Sequence, residues 1–341
     1  MTWWLKQLSR EQRKRYLTQK SLASGITEVA LEKDLWVTLT LFVLANSALA
    51  SFFTFKGGTS LSKGFKLIER FSEDIDIAVD PVCLGMVIPD NPSKTSVEKL
   101  KRQGCLFTEQ EIQKEIKRGF QLMALGEETP TVSSNFIQPN RPDTDPHTLF
   151  VQYYTLFDQN PYIVSTIRVE FSVRSVSSPF HLCSINTLIE PPQSLDSHES
   201  MPFQMRTLDP QVTCIEKALL LHEEFNNLLK PKARTQRMSR HYYDLYRLKN
   251  NDLNYPSLGD KSLFLQVLEK RKRFSRLRGI DYEKVKSGKL NLIPANQETK
   301  QQLQKDYELM QDNMIYGKTP GFQDLLNELR ALEMDFEQLL N

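Results

Sequence analysis

The stretch FSEDIDIAVD, residues 71 to 80, sets two carboxylates into what otherwise reads as a buried strand. Side chains alternate along a strand, so Ile75, Ile77 and Val79 face one way and Asp74 and Asp76 the other. Two neighbouring carboxylates repel and lose hydration at a heavy cost, and a cation relieves both. Paired oxygen donors suit Mg²⁺, which is typically held by one or two carboxylates plus substrate phosphates, with Mn²⁺ as the alternative ion. A later run, STIRVEFSV, places Arg168, Glu170 and Ser172 opposite Ile167, Val169, Phe171 and Val173. Glu170 completes a three-acid cluster if this strand lies beside the first. Its plainer role is a surface pair with Arg168 on the same face.

The residues just upstream have phosphate chemistry. Gly57-Gly58 follows the short strand SFFTF and lets the backbone approach a ligand closely. The helix expected next opens with Thr59, Ser60 and Ser62, whose amides and hydroxyls can meet a phosphate at a positive helix end, and Lys63 adds a cation. Ser72 either caps the acidic strand or lends its hydroxyl to a phosphate. A double glycine alone is usually a turn, and an Asp-x-Asp alone is weak. Together in one strand, turn, helix and strand they point to a nucleotide phosphate beside a metal.

The positioning elements follow from periodicity. TSLSKGFKLIERF places Leu61, Phe65, Leu67 and Ile68 roughly on one helical face, and DIDIAV returns to period two. Residues 5 to 50 read as helices, with Thr27 a plausible N-cap and Glu28 in the first turn. Residues 95 to 126 read as helical, 127 to 147 as a polar loop, and TLFVQYYTLF with YIVSTIRVEFSV as a hairpin around DQNP. The proline-containing stretch 188 to 210 reads as a linker. Beyond it QVTCIEKALLLHEEFNNLL, SRHYYDLYRLKN, KSLFLQVLEKRKRF and PGFQDLLNELRALEMDFEQLL all read as helices.

GGTSLSKGFKLIERFSEDIDI, over residues 57 to 77, resembles the signature of the nucleotidyltransferase-fold toxins of the AbiEii/AbiGii group, which includes MenT-like proteins and belongs with the DNA polymerase beta superfamily. EKDLWVTLTL upstream, and IEKALLLHEE with RHYYDLYRL downstream, resemble the group too, so the likeness spans about residues 25 to 250. It implies that Asp74, Asp76 and Glu170 are catalytic metal ligands. It further implies that Gly57, Gly58, Thr59, Ser60, Lys63, Ser72 and Arg240 contact the nucleotide, and that Lys217 neutralises the triphosphate. Taken alone, Lys217 is a snorkelling helical lysine. Arg240 and Asp244 share a helical face in the poorer order for an intrahelical pair, so Asp244 is free to orient Lys217 or the nucleotide. The family also implies an NTP substrate, an RNA acceptor with tRNA 3′ ends foremost, and a cognate antitoxin in a toxin–antitoxin or phage-defence setting.

Bulk properties frame this reading. A chain of 341 residues, 40% hydrophobic and 25% charged, has ordinary globular composition. The net charge of +2 is too small for a strong overall field, so RNA affinity would come from local clusters such as KPKARTQRMSR and EKRKRFSRLR. The four cysteines are scattered, which argues against a disulfide framework or structural zinc and fits a reducing cytoplasm. LWVTLTLFVLANSALASFF is interrupted by polar residues and reads as a buried helix, so no membrane span is expected. The expected fold is α/β (α+β): a nucleotidyltransferase domain with a small mixed sheet and flanking helices over 1–190, then a helical domain over 191–341. Two other functions fit the same residues: an NTP-binding regulatory module without transfer, and a kinase-like protein-modifying transferase.

Overall fold

The computed structural model describes residues 3–89, 91–135, 144–158, 163–189, 202–251, 253 and 258–341. They form two compact units: residues 1–64 with 71–208, and residues 65–70 with 209–341.

The first unit opens with helices α1 (Trp3–Lys6), α2 (Arg10–Ser24) and α3 (Glu28–Ala45). Thr27 is the N-cap of α3, its side chain accepting from the Ala30 amide at 3.4 Å. α3 is apolar around most of its circumference, and it is buried along nearly its whole length. Strand β1 (Phe53–Lys56) leads into α4 (Gly57–Lys63), then β2 (Ile75–Val79). The helix ends well short of residue 70, where periodicity would extend it: Gly64 weakens it, and Lys66 adopts a left-handed φ of +56°. Helices α5 (Lys94–Phe107) and α6 (Gln113–Leu122) are joined by a π turn.

Strands β3 (Thr131–Ser134), β4 (His147–Gln152), β5 (Thr166–Ser172), β6 (Phe180–Ile185) and β7 (Phe203–Leu208) complete a seven-stranded mixed sheet. Its order is β3-β4-β5-β2-β1-β7-β6. β4 and β5 pair antiparallel, and β2 pairs antiparallel with β1 but parallel with β5. The region expected to be a loop at 127–147 contains β3, whose Val132 is buried; residues 136–143 lie outside the described set, as do 159–162 of the expected turn. The stretch expected to be a linker contains β7, which pairs parallel with β1 and antiparallel with β6. Met205, Thr207 and Leu208 are buried there, so the first unit runs through Leu208 rather than stopping at residue 190. Residues 190–201 lie outside the described set.

The second unit is helical: α7 (Pro210–Asn226), α8 (Ser239–Lys249), α9 (Lys261–Ser275), α10 (Tyr282–Lys286), α11 (Gln297–Met314) and α12 (Phe322–Leu340). The acidic α12 buries Leu325, Leu329, Leu332 and Phe336 and packs on α8. Segment 65–70 belongs here, Arg70 bridging Ile315 and the Glu69 carbonyl accepting from the Tyr316 amide at 3.1 Å. No helix among the described residues is long and apolar enough to cross a membrane.

Candidate active site

The parallel pairing of β2 with β5 sets Asp76 opposite Glu170 in register. Alternation then works as the sequence implies: Ile75, Ile77, Val169 and Phe171 are buried, while Asp74, Asp76 and Glu170 are half-buried. On its other side Asp76 is in register with Lys56 of β1. Gly57, the next residue, has φ of +80°, and a Cβ there would fall on Asp76 Oδ2. Glycine at 57 thus serves both the left-handed turn and the close approach of the carboxylate. Glu170 also pairs with Arg168 along its own strand face.

The side chains that follow the glycines brace the acidic strand from within. The Thr59 hydroxyl donates to the Asp74 carbonyl and lies 2.8 Å from the Ser72 hydroxyl. Ser60 is fully buried and donates to the Gly57 carbonyl at 2.9 Å. Lys63, read from sequence as a phosphate ligand, is instead turned inward: its ammonium lies 2.5 Å from Asp34 and donates to the Thr38 hydroxyl and the Asn186 carbonyl. The ammonium is thus paired within the core.

All three acids offer oxygen donors on half-buried positions, the donor type that a hard divalent cation takes. Among the described residues no three His, Cys, Asp or Glu side chains form a ready-made metal cage. Such a donor set suits an ion completed by substrate phosphates and water rather than by protein alone.

In the second unit Asp244 on α8 is fully buried. It accepts from Arg70 Nε at 2.7 Å and Nη2 at 2.8 Å, and lies 2.9 Å from Lys217 Nζ on α7. Burial alone would push its pKa up, yet the charges of Arg70 and Lys217 hold the carboxyl well below the usual range. Burial lowers the Lys217 ammonium, with Asp244 opposing. Burial, then Lys217 and Arg240, push His241 well below its ordinary value, so the imidazole 3.4 Å from Lys217 is neutral at pH 7. Glu69 pairs with Arg247 at 3.0 Å. Of the basic run at 269–278, Arg271 is spent on Glu223 at 2.7 Å.

A family model described as nucleotidyl transferase AbiEii toxin, type IV toxin–antitoxin system, matches residues 40–328. The chain belongs to the AbiEii family. It is therefore a nucleotidyltransferase toxin, with an NTP substrate and an antitoxin partner. The AbiEii match runs past residue 250, where the resemblance read from sequence ended, and takes in α9, α10 and α11. A solved structure, the nucleotidyltransferase toxin MenT4 from Mycobacterium tuberculosis H37Rv, is similar at 16% identity and a TM-score of 0.44, covering 98% of this chain and 99% of its own. No curated protein matches.

Within this AbiEii chain, sequence reasoning passed over Arg70, Lys33, Asp34 and Glu73. Lys33 Nζ donates to Glu73 at 2.6 Å and both are buried. The signal was present: Glu32, Lys33 and Asp34 are consecutive charges opening an apolar run too long to leave any face for solvent.

Proposed function

We propose that this chain transfers a nucleoside monophosphate from an NTP to an RNA acceptor, with tRNA 3′ ends the foremost candidate. What supports this reading is the register of β2 against β5, which puts Glu170 beside Asp76, the carboxylate that Gly57 approaches closely. The acceptor hydroxyl gives up its proton to solvent as its oxygen forms a bond to the α-phosphorus, the bond from that phosphorus to the oxygen bridging the α- and β-phosphates breaks, and pyrophosphate leaves with the electron pair. Asp74, Asp76 and Glu170 would hold Mg²⁺ or Mn²⁺. When bound, such an ion lowers the pKa of the attacking hydroxyl and offsets charge on the departing phosphates. The chain's own part is to hold three carboxylates at fixed depth and to present the Gly57 and Gly58 amides to phosphate oxygens. Ser72, near the Asp74 carbonyl, is a candidate phosphate contact. Lys217 and Arg240 are assigned to leaving-group charge, with Asp244 orienting Lys217. A cytoplasmic location is part of the same proposal, because it is where NTP and RNA would both be at hand.

Incubation with each α-³²P NTP, Mg²⁺ and total RNA tests the reading. Label is expected in small RNA with pyrophosphate released. Label from γ-³²P NTP appearing in protein would mean kinase-like transfer. NTP binding with no labelled polymer would mean a regulatory module.

A further inference from the structure

Lys33 lies in the first third of buried α3, 1% exposed, and its ammonium donates to two groups on the lead-ins of different strands. It donates to Glu73 at 2.6 Å, the residue immediately before Asp74, and to the Val164 carbonyl at 2.9 Å, two residues before β5 begins. One side chain therefore ties together the entries of the two parallel strands whose register sets Asp76 beside Glu170. Its neighbour Asp34 does the same for the flanking parts: it holds Lys63 at the end of α4 at 2.5 Å and accepts from the Leu188 amide at 2.7 Å.

We propose that Lys33 is a positioning residue that fixes the register of the acid-bearing strands. This rests on the reading of Asp74, Asp76 and Glu170 as metal ligands. A strand slipped by one residue turns every side chain to the other face. Such a slip at β2 would bury Asp74 and Asp76 and expose Ile75. Glu73 shares the buried face with Ile75, and only the observed register brings its carboxylate to Lys33. A buried ion pair contributes little net stability against a well-packed apolar replacement, because desolvation of both charges offsets their attraction. Its best-attested use is to choose one register among several. The second bond, to Val164, extends that choice from one strand to both.

The test compares wild type with Lys33→Met/Glu73→Gln, which removes both charges and leaves no lone buried ion. Thermal melts, kcat and KM for NTP, and Mn²⁺ affinity by electron paramagnetic resonance of the free ion with a non-hydrolysable NTP analogue are the readouts. The expected result is a melting temperature close to wild type, with Mn²⁺ affinity and kcat each lowered about 10- to 100-fold, the range for residues that orient metal ligands. KM for NTP should move less. Wild-type kcat and Mn²⁺ affinity in the double variant overturn the proposal, as does a loss that tracks the unfolded fraction and vanishes on cooling. Should the double variant fail to fold, Glu73→Gln alone is measured. It keeps Lys33 and its bond to Val164, a smaller loss of Mn²⁺ affinity is expected, and wild-type affinity overturns the proposal. A wild-type protein that binds Mn²⁺ but labels no RNA would count against transfer to RNA and leave the register assignment tested by the metal alone.

Discussion

Asp76 stands between Lys56 and Glu170 in sheet register, with Gly57 against its carboxylate. Asp74→Asn and Asp76→Asn should each lower transfer by about 10²- to 10³-fold, the usual cost of one preorganised charged contact. Their melting temperatures should match or exceed wild type, because repulsion between acids is relieved. Wild-type rates in both variants, measured by NTP turnover, would remove the metal assignment. Gly57→Ala acts on the same carboxylate from below. Its left-handed φ costs about 1–2 kcal/mol for a residue with a Cβ, and that atom would also displace Asp76 Oδ2. Both a lower melting point and a loss of kcat are therefore expected. An alanine variant with unchanged kcat would show that Asp76 needs no fixed seat.

Between elements, Arg70, Asp244 and Lys217 bury three charges together. Asp244→Ala leaves two cations facing each other without their anion, and removing one partner of a buried pair costs about 3–5 kcal/mol. Asp244 also sets an acid limit. Its carboxyl is held below the ordinary value, so its stabilisation is complete above the unfolded value of about 4 and is lost as pH falls toward the folded one. Denaturant midpoints followed from pH 6 to 2 should fall more gently in Asp244→Asn than in wild type. For Lys217→Ala a role at leaving-group charge predicts a larger loss in kcat than in NTP affinity, whereas a purely structural lysine predicts losses that follow the melting point. How much of this was visible in the sequence depends on range. The alternation in DIDIAV and STIRVEFSV is local and was legible, whereas their adjacency was only conditional until the β2–β5 pairing was seen. β7 went unread because a six-residue strand flanked by Pro202 and Pro210 looks like a linker. Lys33 could not be paired with Glu73 because the two lie 40 residues apart, and no periodicity reports a contact at that range.

Across the whole molecule, the second unit is not one continuous stretch: residues 65–70 come from between α4 and β2, and the remainder begins at 209. A fragment of residues 209–341 therefore lacks Arg70 for Asp244 and Glu69 for Arg247. It should melt well below the same fragment with residues 65–70 fused through a flexible linker, as followed by circular dichroism. Equal melting points would show that the short segment contributes nothing to that unit. The same discontinuity has a consequence for synthesis. A ribosome releases the chain in order, and Arg70 precedes Asp244 by 174 residues. At about 5–20 residues per second, Arg70 waits roughly 9–35 s for its carboxylate, and the Ile315 bridge comes later still. Until then the bonds from Arg70 to Asp244 are missing, so the lead-in to the acidic strand lacks one of its tertiary anchors through most of translation. A nascent or prematurely ended chain thus carries the glycine turn and the acidic strand without this anchor, and a toxin assembled this way becomes complete only when nearly all of it has left the exit tunnel.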